Sequence, residues 1–346
     1  MKKVTIILAM SVLFCSCGSK SSEEGLTKLF TTKQNVNTVS CPSVHGDDFL
    51  NPRKLVIDSV NFYFYDKDAD DMISAVNKND GSKKCFLAKG QGPEEVVSVE
   101  TMCPNDGKVF FFNLNLKKVL YYNATTGGVC VDSAASDFAR VNITSTSWAF
   151  DGDMIIAPVL NNENRFVVKT PEQETYFGKI DATSDYTSDE YGWALQPMIC
   201  VNSVQKRMFW GAGMGDVYGI YDYSDLNNIR QVVLQLYEMP ATNPSDRTAF
   251  TSEARMGVLS VSSSQDYIFA LYSGKQIKTV LHNLMDQDRL GLASNILVMD
   301  WEGNPVKQLL LDHELRDIYY DKYDNKLYGI ELNDEYSLCQ IPLEKL

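Results

Sequence analysis

Apolar and polar positions alternate along most of this chain in short runs, separated by clusters of Gly, Pro, Asn and Asp. The segment 89–131 shows the pattern in full. An apolar run from Val96 to Met102 meets Pro-Asn-Asp-Gly at Pro104 to Gly107. An aromatic run, Val109 to Phe112, follows, then Val119 to Tyr122, a Gly-Gly turn and Val129 to Val131. β-Branched and aromatic runs bounded by turn residues predict strands joined by hairpins. A lone four-stranded meander leaves most of one face in water and is marginal by itself. It predicts neighbours of the same kind.

The neighbours are visible. Similar meanders begin near Leu55, Val96, Ile143, Met198, Val258 and Ile318. Their spacings of about 41, 47, 55, 60 and 60 residues suit four-stranded propeller blades with loop insertions. The last unit has only three strands before Leu346. Residues 28–40, KLFTTKQNVNTVS, are expected to pair back as its fourth strand and so remove the open sheet edges. The predicted fold is all-β, a six-bladed β-propeller of four-stranded blades over residues 28–346, its ring closed by an N-terminal strand. A pair of β-sandwich domains is disfavoured, because no Pro/Ser-rich linker divides the repeat. Ser273 to Ser294 breaks the pattern, and Thr279 to Leu284 within it suits a helical turn; loops of this length usually carry function or are mobile.

The N-terminus changes the picture from a plain globular chain to an exported one. Lys2 and Lys3 precede an apolar run, Val4 to Phe14, too short to remain as a membrane span. Small residues flank Cys17 in Phe14-Cys15-Ser16-Cys17-Gly18-Ser19, the pattern of a bacterial lipobox whose cysteine is acylated. Residues 1–17 are thus expected to be a lipoprotein signal peptide and 18–27 a flexible tether. An ordinary cleaved signal peptide with an incidental cysteine is the alternative. Several acyl chains give lasting anchorage where one does not, so the membrane is the first expected partner. The expected address is the cell envelope, at the outer rather than the inner membrane.

Charge and cysteines narrow the classes. A net charge of −13 and a pI near 4.8 argue against nucleic-acid binding, which needs a basic face. Beyond Cys15 and Cys17, six cysteines are widely spaced with no C-x-x-C pair, which argues against a zinc or thioredoxin-like site. Most fall in apolar strands and read as small buried hydrophobes.

With the lipobox-like Cys17, the turn Gly90-Gln91-Gly92-Pro93-Glu94-Glu95, YIFALYSG (Tyr267 to Gly274), VMDWEGNPV (Val298 to Val306) and IYYDKYDNKLYGI (Ile318 to Ile330), the chain resembles the TolB-like six-bladed propeller lipoproteins of Bacteroides-type bacteria. The resemblance covers nearly the whole mature chain. It implies the fold and implies no shared catalytic set, so function from it is analogy.

Candidate chemistry is sparse. Gly90 to Glu95 is a sharp turn that lacks the following helix and lysine of a phosphate loop. Asp66 to Asp71 lacks the glycine and glutamate of a calcium loop. His45, His282 and His313 have no ligand spacing, and no Gly-x-Ser-x-Gly occurs. The crossings between blades are expected to gather Glu94, Glu95, Arg140, Tyr191, Trp193, Arg255, His313 and Arg316 on one face. Aromatic faces and Arg there suit a small polar ligand or a glycan. The expected function is a non-catalytic binding or scaffold propeller for a protein or glycan partner, with no cofactor, metal site or catalytic residue assigned. The alternative is a hydrolase or lyase with a divalent ion in the channel. Inward carboxylates from several blades would favour the enzyme, and an apolar or tyrosine-plugged channel the binder.

Overall fold

The computed structural model describes residues 25–44, 49–140, 147–160, 162–181, 186–187, 190–243, 246–281, 290–333 and 335–343, with the side chains of 193 and 246–248 excepted. The expected signal peptide, Cys17 and most of the tether lie outside the described residues. A 3-10 helix, Gly25–Leu29, leads into β1 (Lys33–Val36) and β2 (Val39–Ser40).

The blades then follow in order, and the alternation read from sequence explains their layering. Blade one is β3 (Pro52–Ile57), β4 (Asn61–Asp66), β5 (Asp71–Asn77) and β6 (Lys83–Ala88); blade two is β7 (Thr101–Asn105), β8 (Lys108–Asn113), β9 (Lys118–Asn123) and β10 (Gly128–Val131). Blade three is β11 (Ala149–Asp151), β12 (Met154–Pro158), β13 (Phe166–Lys169) and β14 (Glu174–Phe177); blade four is β15 (Pro197–Asn202), β16 (Arg207–Ala212), β17 (Asp216–Asp222) and β18 (Arg230–Glu238). A small hairpin, β19 (Thr242–Asn243) and β20 (Asp246–Phe250), precedes blade five. Each of these four sheets is an antiparallel meander whose two middle strands are buried between neighbouring blades and whose outer strand is largely exposed.

Blades five and six share one strand. The continuous sheet contains β21 (Val258–Ser263), β22 (Tyr267–Tyr272), β23 (Ala293–Asp300), β24 (Pro305–Asp321), β25 (Lys326–Leu332) and β26 (Tyr336–Ile341). The first part of β24 pairs with β23 as the outer strand of blade five, Asn295 facing Leu310. Its last part pairs with β25 as the inner strand of blade six, Ile318 facing Gly329. A register shift between Leu315 and Asp317 turns the chain from one blade to the next, the local kink that a bulge supplies. Four separate blades and these two make six.

Closure is realised at both blades rather than one. Residues 28–40 were expected to form the missing strand of blade six. Only β2 does so, with Val39 facing Gln340 and Ser40 facing Cys339. β1 instead lies parallel to β24 on the edge of blade five, Lys33 facing Gln308 and Val36 facing Leu311. The pattern of 33–36 has the half-exposed character of an edge strand, which fits either neighbour.

Other expectations shift by a few residues. The inner strand of blade two begins at Thr101, not Val96: Val96 and Val99 are buried but sit in the crossing, with Val96 bridged to Lys89. The inner strand of blade three begins at Ala149, not Ile143, and 141–146 lie outside the described residues. Apolar runs alone do not separate a buried crossing from a strand. Among the described residues, α1 (Ser133–Arg140), α2 (Glu190–Leu195) and α3 (Ile277–Val280) break the β pattern, the last near the expected turn at Thr279 to Leu284.

Candidate functional site

Six inner strands converge on the molecular axis and enclose a cavity of about 750 Å³. Its lining comes from every blade: Lys54 to Val60, Glu100 to Lys108, Ser147 to Gly152, Met198 to Val201, Leu259 to Ser263 and Asp317 to Tyr320. The mouth is ringed by the hairpins between first and second strands, where Val60, Asp106, Gly152, Ser203, Lys322 and Tyr323 are exposed. The crossings between blades lie at the other end.

The wall is mixed, with rather more polar than apolar surface. Cys103, Phe150, Met198, Val201, Leu259, Val261 and Tyr319 contribute to its apolar part. Burial pushes the Cys103 thiol up to about 11 and the Cys200 thiol up to about 12, the latter partly offset by a hydrogen bond with Ser263. Both are neutral thiols at physiological pH and poor nucleophiles. Burial also holds the Tyr319 phenol well above its ordinary value, with Cys103, Asp321, Tyr323 and Asp58 adding in the same direction.

Five carboxylates reach the cavity, and four are engaged. Asp58 accepts the backbone N–H of Val60 and of Asn61 at 2.7 Å each, and the Tyr63 hydroxyl at 2.8 Å. Glu100 accepts the Ser98 hydroxyl at 2.6 Å and the Leu114 N–H at 2.8 Å. Asp151 accepts Lys206 at 2.7 Å and the Tyr223 hydroxyl at 3.0 Å. Asp317 accepts the Leu55 N–H at 2.6 Å and the Ser260 hydroxyl, tying blades one, five and six together. Burial raises its pKa, with Lys54 foremost among the groups that oppose the shift. Asp106 is exposed at a hairpin tip. Among the described residues no group of three or more His, Cys, Asp or Glu is placed to hold a metal ion.

The residues singled out from sequence do fall in the crossings, where most of the described ones are engaged in contacts that hold the fold. Glu94 is exposed; Glu95 accepts the Gly92 N–H at 2.8 Å. The turn around them is fixed by Lys118, which donates to the carbonyls of Gly92 at 2.6 Å, Pro93 at 3.0 Å and Glu95 at 3.1 Å. Arg140 ends α1 and pairs with Asp137 at 2.6 Å, both exposed. Tyr191 on α2 is buried in the core between blades three and four, stacked on Tyr186 at 5.4 Å. The side chain of Trp193 lies outside the described residues. His313 is half-exposed, 3.7 Å from Asp312. Arg316 is buried, donates to the Tyr336 hydroxyl at 2.8 Å and lies over that ring. None of the seven described side chains is part of the cavity lining.

Arg255 belongs to a buried cluster that sequence reasoning missed. Asp216, fully buried at the start of β17, accepts the Tyr272 hydroxyl at 2.5 Å and lies 3.5 Å from the Arg255 guanidinium; Glu238 is 3.4 Å from the same nitrogen. Burial raises the Asp216 carboxyl to about 6, against the Tyr272 hydrogen bond and the Arg255 charge. Gly25 sits over the pair at a left-handed φ of 66°, where a Cβ would collide with both Tyr272 and Asp216. The sequence carried one signal, the run YIFALYSG ending at Tyr272 and Gly274, but nothing in it marked Asp216 as its partner.

This closed ring, with a lined axial cavity and crossings used for structure, defines a six-bladed propeller. The chain belongs to the TolB-like 6-blade propeller-like family, which it matches over residues 62–322. Among solved structures it is similar to a protein of Bacteroides fragilis described as exported, with 12% identity, a TM-score of 0.58, and coverage of 94% of this chain and 98% of that one. A DUF4221 family member from Bacteroides vulgatus is similar at 9% identity and a TM-score of 0.53, over 90% of this chain and 97% of that one. At these identities the likeness is one of fold. A search of curated proteins returns no match.

Proposed function

We propose that this is a non-catalytic binding propeller of the cell envelope, lipid-anchored through Cys17 at the outer membrane, that holds a glycan or a segment of a partner protein at its axial cavity. One observation carries the reading: of the five carboxylates that reach the cavity of about 750 Å³, four are spent on backbone, hydroxyl and lysine donors, and the mixed polar and apolar wall between them offers hydroxyls and aromatic and aliphatic faces to a bound group. Cavities of this size suit small molecules or a few residues of a larger partner. The cavity, rather than the ring of crossings, is the better place for the ligand. The lipobox pattern and the likeness to proteins described as exported support the address.

The test is thermal melting of soluble protein that starts after Cys17, against glycans and envelope peptides, then with chelator and added calcium, magnesium, manganese or zinc. A ligand that binds only the folded state raises the midpoint by mass action. The expected result is a shift with a glycan or peptide that is weakened in Tyr319→Phe, and none with chelator. A midpoint that falls with chelator and returns with one ion would replace this reading with the metal-dependent hydrolase or lyase.

A further inference from the structure

Within each blade the second strand runs from the cavity-mouth hairpin to the opposite end, and the third strand starts from that end. Gly25, the described residue nearest Cys17 in the chain, is pinned there: it covers Asp216 at the start of β17 and Tyr272 at the end of β22. Leu26 donates its N–H to the Tyr272 hydroxyl at 3.3 Å, and Leu26 and Phe30 are buried between blades four and five. Gly25 is therefore held on the face away from the mouth.

From this geometry we infer that the anchor and the cavity mouth occupy opposite faces, so that the cavity opens away from the bilayer and takes its ligand from the aqueous side rather than as a lipid of the anchoring membrane. The inference rests on the reading of Cys17 as the acylated residue. Chain length supports it. The eight steps from Cys17 to Gly25 have a relaxed span of roughly 16 Å, less than the roughly 20 Å rise of a six-residue strand such as β16. As the flexible tether expected from their composition, these residues would not reach past the height of a blade.

The experiment uses the full-length lipidated protein in liposomes that carry a headgroup acceptor dye. A donor dye is attached through an encoded azido residue at exposed Glu253, in a crossing, or at exposed Ser203, at the mouth, with Asp106 as a second mouth position. Energy transfer from position 253 is expected to exceed that from 203 and 106 at least twofold. Equal transfer, or more from the mouth, overturns the orientation. Cys17→Ala is run alongside and is expected to release the protein from membranes. Retention of that variant would instead remove the anchor reading on which the orientation rests.

Discussion

At the scale of single residues, burial sets the chemistry. Asp216 titrates near 6 in the fold, above the ordinary aspartate value, so the folded state holds an extra proton between about pH 4 and 6. Stability linked to this group is fully present below the unfolded value and is lost as pH rises through 6. Asp216→Asn keeps an acceptor for Tyr272 and removes the titration. Urea unfolding from pH 4 to 7 should show wild type losing stability relative to the variant across that window, and parallel profiles would refute the assignment. The thiols give a second expectation. Cys85 and Cys130 are exposed on outer strands, whereas Cys103, Cys200 and Cys339 carry raised pKa values through burial. Brief iodoacetamide treatment read by mass spectrometry should label the first two and spare the other three; rapid labelling of Cys103 would mean that its thiol is more hydrated than its burial implies. Reading most cysteines as buried hydrophobes suits Cys339 and fails for Cys85 and Cys130. Strand membership is legible in a sequence, but which face and which edge a side chain takes depends on neighbours tens of residues away.

At the scale of elements, the hairpins were legible and the crossings were not. Val109 to Phe112 and Tyr267 to Tyr272 announce themselves because β-branched and aromatic runs end at turn residues, and they form β8 and β22. Val96 and Val99 have the same composition, yet they plug a crossing whose backbone is held by a side chain from elsewhere. That side chain is Lys118, 26 residues from Gly92, and no local rule links the two. Its ammonium satisfies three carbonyls, while desolvation lowers its pKa. Lys118→Met should destabilise the protein by about 1.5–3 kcal/mol, the range for hydrogen bonds to a charged group. The loss should appear in denaturant melts, with faster amide exchange at residues 90–96. A variant indistinguishable from wild type would show that the Gly90 to Glu95 turn holds itself. The turn's glutamates drew notice as candidate ligands because acidic residues beside glycines suggest a site. The fold uses Glu95 to cap the turn, and the cavity's polar groups come instead from inner strands whose inward direction the sequence does not declare.

At the scale of the whole molecule, the ring must hold where its ends meet, and two devices do so. The first is the seam between blades one and six, where Phe62 meets Tyr328 at 5.2 Å and buried Lys78 binds buried Asp321 at 2.5 Å. The second is the N-terminal strap, which was read from sequence as one closing strand. It proves to cross three blades: Leu26 and Phe30 pack at blades four and five, β1 extends blade five and β2 completes blade six. Burial of Leu26, Phe30 and Val36 contributes about 1.5–3 kcal/mol each before ordering entropy is subtracted. At about 2–4 °C per kcal/mol of net loss for a chain of this size or somewhat smaller, a chain starting at Cys41 should melt measurably below one starting at Gly25. Truncation also uncovers the edges of two adjacent blades, so the shorter chain should aggregate on heating where the longer one does not. Lys78→Met, with the strap intact, weakens the other device and should lower the midpoint without exposing an edge, leaving solubility unchanged. If the chain starting at Cys41 melts with the chain starting at Gly25, the seam alone closes the ring. The strap would then serve chiefly to hold Gly25 on the face away from the mouth, a role that depends on the Gly25 contact with Asp216 and Tyr272 and not on β1 or β2.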